Sequence, residues 1–399
     1  MLIRKAIINL KEEITNYRRE MHQNPQTAYE EEFASNLVRN KLKDWEISFT
    51  TGFAKTGLVA SIKGKRTDSG KSIGLRADMD ALDIKEENNI SWKSKISGKM
   101  HACGHDGHTA MLLGAAKYLS QTNNFNGTVN LIFQPAEEGM KGAVNMIKDG
   151  LFQQFPCDEV YGMHNWPYLQ KGRIAMCSGP IMACVDTFSV KIIGKDGHAA
   201  MPQKTIDPIV IGSQIVSALQ SIISRNITPT EAAVISITNF NAGTGAFNVI
   251  PKIAELTGTV RALDQRVRLI IKDKIERIAK QIGDAFGASI EFNYEHIIEP
   301  TVNDNNSTQF CSSIAEEIIG KEKVDNYFTP VLAGEDFGAL LQERPGCFIM
   351  IGQGDPDLPH SSYNQGLHTS LYDFNDDIIP LGIEYWAKIV EEALPLNEG

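Results

Sequence analysis

A nine-residue run from Met100 to His108 reads MHACGHDGH and holds three of the nine histidines in the chain. It also contains one cysteine and one aspartate. Imidazole nitrogen, thiolate sulfur and carboxylate oxygen are the side-chain ligands that hold zinc, cobalt, manganese and nickel. Cys103 and His105 are separated by one glycine, so both can reach a common point from a single bend. The run therefore predicts a metal site that other segments of the fold must complete.

Length and charge limit the class of protein. At 399 residues the chain exceeds the usual size of a single core, so two domains are expected. A formal net charge of −10 disfavours nucleic acid or an anionic membrane as a partner. The N-terminal segment has the spacing of an amphipathic helix, and no long apolar run follows it. The six scattered cysteines favour free thiols, and we expect a soluble, cytoplasmic protein that binds a small molecule.

The first half of the sequence alternates between strand and helix patterns. Strands are predicted over 57–62, 72–75 and 128–133, and a helix over 109–120. This alternation predicts an α/β fold with a mostly parallel central sheet flanked by helices. Polar residues follow three of the predicted strands, at 76–78, 134–138 and 163–165. Because sites in such sheets collect at the carboxyl ends of strands, we expect these segments to converge.

The pattern changes near Asp186, where an alternating run covers 187–193 and a loop containing His198 follows. Helices are then predicted over 208–223 and 265–285, and strands over 232–240 and 253–260. This order predicts a small α+β domain inserted into the larger one. The predicted boundaries are 1–185 for the first part of the larger domain, 186–297 for the insertion and 298–399 for the second part.

The adjacent Glu137 and Glu138 are the next candidates for the site. Two neighbouring carboxylates repel each other, so burying both is unfavourable unless they share a cation or a proton. A metal resolves this conflict, because one glutamate can bind it while the other accepts a proton from water. A solvated helix start, where acidic residues are favourable, explains the pair equally well.

Two histidines complete a possible set of metal ligands. Taken singly, His164 and His368 are better explained as ordinary core or loop histidines than as metal ligands. His360 also competes with His368, although the Tyr-Asp-Phe-Asn sequence that follows His368 favours the latter. Taken together, the candidates are more numerous than the four ligands of a structural zinc, and they suit a two-metal centre with an open position. The five candidate ligands are Cys103, His105, Glu138, His164 and His368.

Eight ordered motifs along the chain resemble those of a known enzyme family. They are RADMDAL at 76–82, HACGHDGH at 101–108, QPAEEG at 134–139, GMHN at 162–165, GHAAMP at 197–202, NVIP at 248–251, GEDF at 334–337 and LH at 367–368. The chain resembles the metal-dependent amidohydrolases that include hippurate hydrolase, N-acyl-amino-acid deacylases and indole-acetyl-amino-acid hydrolases. This family is a branch of the aminoacylase and carboxypeptidase superfamily, and the resemblance runs essentially end to end.

The resemblance implies a role for each candidate in the larger domain. It implies that the five candidate ligands hold two divalent metal ions and that Glu137 is the catalytic base. Asp78 corresponds to an aspartate that orients a ligand. A thiolate ligand favours zinc, manganese, cobalt or nickel over magnesium. The family fold also implies that the inserted domain acts as a lid or dimerisation domain.

The resemblance also implies roles for three residues of the insertion. His198 corresponds to a histidine that stabilises the oxyanion, often from the neighbouring subunit, so we expect a homodimer or a higher homo-oligomer. Asn248 and Arg261 correspond to residues that bind the carboxylate of the substrate, although Arg261 is equally explained as a surface arginine. The chain departs from its relatives at Gln203, where a histidine is common, and at Gln26, where a glutamate is common.

These features predict hydrolysis of an N-acyl amino acid to a carboxylic acid and a free amino acid. A dipeptidase or carboxypeptidase on the same scaffold is the first alternative. A non-catalytic metal-containing binding protein is the second, but it would lack the base. A nucleoside-type zinc deaminase is disfavoured because its Pro-Cys-x-x-Cys element is absent. The sequence leaves open the acyl group, the amino acid, the metal, and the roles of Glu335 and Asp336.

Overall fold

The computed structural model describes residues 2–139 and 141–396. Its helices are α1 (Lys5–Ile8), α2 (Lys11–Gln23), α3 (Glu32–Asp44), α4 (His105–Thr122), α5 (Gly142–Lys148), α6 (Leu151–Gln154), α7 (Pro208–Asn226), α8 (Gln265–Phe286), α9 (Asn305–Ile319), α10 (Phe337–Glu343) and α11 (Ile379–Ala393). Within the described ranges, no helix combines the length and apolarity needed to span a bilayer.

The strands are β1 (Ser48–Phe53), β2 (Gly57–Lys63), β3 (Ser72–Asp78), β4 (Thr128–Gln134), β5 (Glu159–Gln170), β6 (Ile174–Ala175), β7 (Gly179–Met182), β8 (Cys184–Ile193), β9 (Gly197–His198), β10 (Ala233–Ala242), β11 (Val249–Ile250), β12 (Ile253–Ala262), β13 (Ser289–Ile298), β14 (Thr301–Asn303), β15 (Val324–Asp325) and β16 (Gly346–Gly354). The chain divides into two compact units. The first consists of Met1–Ile181, Val302–Thr329 and Asp336–Gly399, and the second of Met182–Thr301 and Pro330–Glu335.

The first unit contains an eight-stranded sheet, counted over the described residues, in the order β1-β2-β4-β3-β5-β16-β6-β15. The central strands β4, β3, β5 and β16 run parallel, whereas β1 and β2 are antiparallel. Strands β3, β4 and β16 are buried along almost their whole length, as expected for a parallel sheet covered by helices. The predicted mostly parallel sheet is confirmed.

Three predicted element boundaries in this unit are wrong. Strand β3 continues past Leu75 to Asp78, because Arg76 and Asp78 pair with each other at 2.8 Å and can remain buried in the strand. His164 lies inside β5 and not after its end. Helix α4 begins at His105, four residues before the predicted start. Each predicted element is too short because the prediction relied on apolar residues. Polar side chains that find partners can also be buried within a strand or helix.

The second unit is a small α+β layer, as predicted. Its four-stranded antiparallel sheet, taken over the described residues, has the order β10-β12-β8-β13 and packs against α7 and α8. The alternating burial along β8 is typical of a sheet with one covered face. Asp207 and Asp264 accept backbone N–H groups at the starts of α7 and α8, so both helices begin at a side-chain cap.

A buried ion network ties α2 to the first turn of α4. The guanidinium of Arg18 is fully buried and lies 2.8 Å from Asp376, 3.1 Å from Asp373 and 3.4 Å from Asp106. His22, one turn later on α2, has its Nδ1 2.8 Å from the same Asp106 oxygen. Residues four apart share one helix face, so both cations of α2 meet the carboxylates together. The network supports the segment that carries the metal-site run.

We expect the free energy of unfolding to fall more steeply above pH 7 in the wild type than in a His22→Gln variant. Burial disfavours protonation of His22, and Arg18 opposes it, but Asp106 and Glu86 together raise its pKa to about 9 from 6.5. His101 is the other titratable ring close by, 6.2 Å away between centroids. Since the pKa is raised on folding, the stabilisation is complete below about pH 6.5 and is lost as the pH rises through about 9.

Urea unfolding of both proteins at about pH 6, 7.5 and 9.5 measures this difference in slope. Parallel pH profiles for the wild type and the His22→Gln variant would contradict a protonated, paired His22.

Candidate metal centre

Three of the predicted ligands meet at the start of α4. The Cys103 Sγ lies 3.4 Å from His164 Nε2, and the ligand atoms of Cys103, His105 and His164 all lie within 4.8 Å of one another. All three side chains are buried. Gly104 has a φ of 95°, and a Cβ at this position would clash with Asn165. Only glycine therefore permits the bend that turns Cys103 and His105 toward one point.

Glu138 and His368 join this group from two other segments. Cys103, Glu138 and His368 form one cluster within 4.8 Å, and His105, Glu137 and Glu138 form another. His368 has a φ of 62° and a half-exposed side chain, whereas the other ligand side chains are more buried. Because the clusters share members, the five predicted ligands form one continuous set of atoms.

The structure distinguishes His368 from its competitor His360. His368 Nε2 lies 3.1 Å from Glu138 Oε1, and its backbone N–H donates to the Ala102 carbonyl at 2.9 Å. His360 is exposed and belongs to none of the metal-ligand clusters found among the described residues.

Two atoms of this set test whether a cation fits. His105 Nε2 and Glu138 Oε1 are buried and form no hydrogen bond within the part of the chain that the structure describes. These two atoms lie 4.0 Å apart, too far for a hydrogen bond. His368 is closer to Glu138 Oε1, but the two groups are not oriented for a hydrogen bond. A buried polar atom without a partner costs roughly 1–3 kcal/mol. A cation between these atoms removes that cost, so the residues fit a metal centre.

The ionisation of Cys103 and of His164 agrees with this fit. Burial raises the pKa of the Cys103 thiol, so a thiolate at this position requires a cation beside it. Burial, followed by the charge of His108, lowers the pKa of His164. The neutral His164 ring donates from Nδ1 to the Asn165 carbonyl at 2.7 Å, which leaves Nε2 as the ligand atom. Sulfur, nitrogen and oxygen ligands together suit zinc, manganese, cobalt or nickel.

Asp80, which the sequence analysis missed, connects two of the ligands. One carboxylate oxygen lies 3.2 Å from His105 Nδ1, and the other accepts the Glu138 backbone N–H at 3.0 Å. A carboxylate on the distal nitrogen of a ligating histidine fixes its tautomer and its orientation. The RADMDAL motif offered two aspartates, and only the three-dimensional contacts distinguish their roles.

Asp78 has different contacts from those of Asp80. It lies 2.7 Å from His108 Nδ1 and 2.8 Å from Arg76 Nη1, and 3.7 Å from His105 Nε2. His108 in turn contacts the Asn165 side chain at 2.7 Å, and its ring stacks on that of His105. Asp78 therefore touches the ligand set mainly through His108, and its predicted role in orienting a ligand stays a prediction.

The glutamate pair lies in a turn and not at a helix start. Glu137 is buried, and α5 begins only at Gly142, so the helix-start explanation is wrong. The backbone N–H of Asp336 donates to Glu137 Oε1 at 3.3 Å. The Asp336 carboxylate accepts hydrogen bonds from Gln134 at 2.7 Å, Arg76 at 3.0 Å and the Ala143 N–H at 2.9 Å. Asp336 thus holds both ends of this turn.

The second unit brings together two of its three predicted site residues. His198 pairs with Val249 across β9 and β11, and the Ala199 N–H donates to the Asn248 carbonyl at 3.0 Å. His198 and Asn248 are therefore neighbours, and both are exposed. Arg261 lies in β12 and donates to Thr259 and Val260 of its own strand. No hydrogen bond between described residues joins Arg261 to the other two, so its role stays a prediction.

The family to which the chain belongs defines it as a metal-dependent hydrolase, and the candidate ligands agree with that class. The chain belongs to the peptidase family M20/M25/M40, whose family model matches residues 74–392. It is 41% identical over 388 residues to hippurate hydrolase from Campylobacter jejuni, covering 97% of this chain and 98% of that protein. It is 42% identical over 306 residues to an N-acyl-L-amino acid amidohydrolase from Geobacillus stearothermophilus, covering 75% and 80% of the two chains.

The chain is also similar to a solved structure over nearly its whole length. A dinuclear metal-binding peptidase of the M20 family from Bacillus subtilis matches with a TM-score of 0.83 and 33% identity, covering 98% of this chain and 99% of that one. In this chain the clustered cysteine, histidine and glutamate side chains are the candidate site for metal ions.

We expect Zn²⁺ or Mn²⁺ to raise the melting temperature of the chelator-stripped protein, and Glu138→Ala to remove most of that rise. A ligand at about 100 times its Kd stabilises a fold by about 2.7 kcal/mol. Scanning calorimetry at increasing metal concentration measures the shift. Glu12→Ala, which removes an exposed carboxylate from α2, is the control and should respond like the wild type. An undiminished shift in Glu138→Ala would exclude Glu138 from the ligands.

Proposed function

We propose that this protein hydrolyses the amide bond of N-acyl amino acids to a carboxylic acid and a free amino acid. The observation that carries the proposal is the adjacent glutamate pair, in which Glu138 clusters with Cys103 and His368 while the buried Glu137 lies beside His105. Metal-assisted hydrolysis requires a metal ligand and a base close together, and two adjacent glutamates can supply both. Similarity to proteins named hippurate hydrolase and N-acyl-L-amino acid amidohydrolase supports the same reaction.

The metal ions, when bound, polarise the amide carbonyl and make water more acidic. The five residues that would hold them are Cys103, His105, Glu138, His164 and His368. Glu137 accepts a proton from the attacking water as the carbon–oxygen bond forms, and returns it to the amide nitrogen as the carbon–nitrogen bond breaks. The Asp336 N–H, donating to Glu137 Oε1, directs the carboxylate for both transfers.

The proposed substrate contacts come from the second unit. His198 would donate a hydrogen bond to the oxyanion that forms as water attacks the carbonyl. Asn248, adjacent to His198, and Arg261 would bind the carboxylate of the amino acid, for which a guanidinium is well suited. All three roles are proposals that follow from the family motifs.

Self-association as a homodimer is part of the proposal. Strand β10 is an edge strand of the second unit and packs against α7. Large apolar side chains remain exposed on these two elements, with 41% of Ile209, 46% of Val210 and 39% of Phe240 accessible. An unpaired edge beside exposed apolar side chains suits pairing with a second copy of the chain. We also propose a cytoplasmic location, since the six cysteines are free.

We expect Glu137→Gln to lower kcat by about 10²- to 10⁴-fold while metal content stays at the wild-type level, because only the proton acceptor is lost. Metal-reconstituted protein is assayed against acetyl, benzoyl and indole-acetyl amino acids, with dipeptides alongside. The control Glu12→Gln should retain activity. Undiminished turnover by Glu137→Gln would remove Glu137 as the base, and turnover of dipeptides alone would favour the dipeptidase or carboxypeptidase alternative.

If His198 acts across subunits, mixing inactive His198→Ala and Glu137→Gln chains should restore activity. Each mixed dimer then contains one site with both functional residues, so at most about a quarter of the wild-type activity per chain is expected from random pairing. Activity of the mixture, measured after the chains exchange partners, decides the question. No recovery in verified mixed dimers would place His198 within the same chain as its site.

A further inference from the structure

The residue immediately before the glutamate pair has an unusual backbone conformation. Ala136 is fully buried and has a φ of 56°, in the left-handed region that residues with a Cβ rarely adopt. Such conformations persist only where surrounding contacts hold them. The Ala136 carbonyl accepts the Gly142 N–H at 3.0 Å, which closes the turn. The conformation of Ala136 therefore sets the direction in which Glu137 and Glu138 leave β4.

A buried carboxylate from a distant segment binds this residue. Glu31 Oε1 accepts the Ala136 N–H at 2.9 Å and the Tyr29 N–H at 2.9 Å, and Oε2 accepts the Thr56 hydroxyl at 2.6 Å. The Glu31 side chain has no solvent exposure. Both of its oxygens are thus occupied, and the carboxylate is fixed between three segments. Hydrogen bonds to a carboxylate are stronger than those between neutral groups, so this contact is well suited to hold a strained turn.

We propose that Glu31 is a positioning residue for the reaction, because its bond to Ala136 holds the turn that aims Glu137 and Glu138. The inference rests on the proposed function. Asp80 also binds the turn, but it contacts His105 directly, so its substitution would disturb a ligand as well. Within the described part of the chain, Glu31 is hydrogen-bonded to the turn at the Ala136 N–H. Substituting Glu31 therefore tests the turn without touching a ligand.

The experiment compares two substitutions of Glu31 with a matched control. Glu31→Ala should lower kcat by about 10- to 100-fold with little change in KM, since a displacement of about 1 Å has effects of that size. Glu31→Gln should keep most of kcat, because the amide oxygen can still accept the Ala136 N–H. Glu384→Ala is the control, since it removes another buried carboxylate, which binds Arg4 on a different part of the first unit.

A second substitution separates positioning from general stability. Glycine adopts positive φ without steric cost. If Glu31 acts by holding Ala136, adding Ala136→Gly to Glu31→Ala should raise kcat above that of Glu31→Ala alone. A stabilising role elsewhere predicts no such gain, because glycine adds freedom to the unfolded chain and lowers stability further.

Titration of the chelator-stripped proteins with Zn²⁺ alone gives a readout that does not depend on hydrolysis. Glu31→Ala should bind Zn²⁺ more weakly than Glu384→Ala, because Glu138 is no longer aimed at the site. Equal kcat and equal Zn²⁺ affinity in these two variants, or no gain from Ala136→Gly, would overturn the proposal. If the wild type cleaves none of the N-acyl amino acids, the proposed function fails, and the Zn²⁺ titration still decides the role of Glu31.

Discussion

Burying several carboxylates in one place is unfavourable unless cations or hydrogen bonds offset their charge. The first unit does this throughout its site. Arg76 pairs with Asp78 and Asp336, and the Arg18 network neutralises Asp106 beside the first turn of α4. Glu138, in contrast, lies among the candidate metal ligands, with its Oε1 3.1 Å from His368 Nε2. The requirement for charge balance thus explains why a cation is expected among these clustered side chains.

The parallel sheet brings these groups together. Neighbouring strands β4 and β3 end side by side, with Asp78 opposite Gln134, so the segments that follow them enter the same region. His164 reaches this region from within β5, the next strand of the sheet. The ligands therefore come from segments that are far apart in the sequence but adjacent at one edge of the sheet, as expected for sites in open α/β folds.

Three carboxylates outside the set of five candidate ligands hold the segment that carries the glutamate pair. Asp80, Asp336 and Glu31 each accept a backbone N–H from the segment that carries the glutamate pair. Each also binds a side chain or backbone group of another element, so the turn cannot move independently of its surroundings. Catalytic groups placed on such a supported turn hold their geometry better than groups on a free loop.

The sequence by itself determined the candidate ligand types, the parallel α/β fold and the family, because residue types and ordered motifs are local properties of the chain. Only the tertiary structure decided that Asp80 contacts His105 while Asp78 contacts His108, since two aspartates of one motif differ only in where their side chains point. The same holds for Glu31, which meets Ala136 across 105 residues. No local pattern encodes such a contact, because it arises from the packing of segments that the sequence keeps apart.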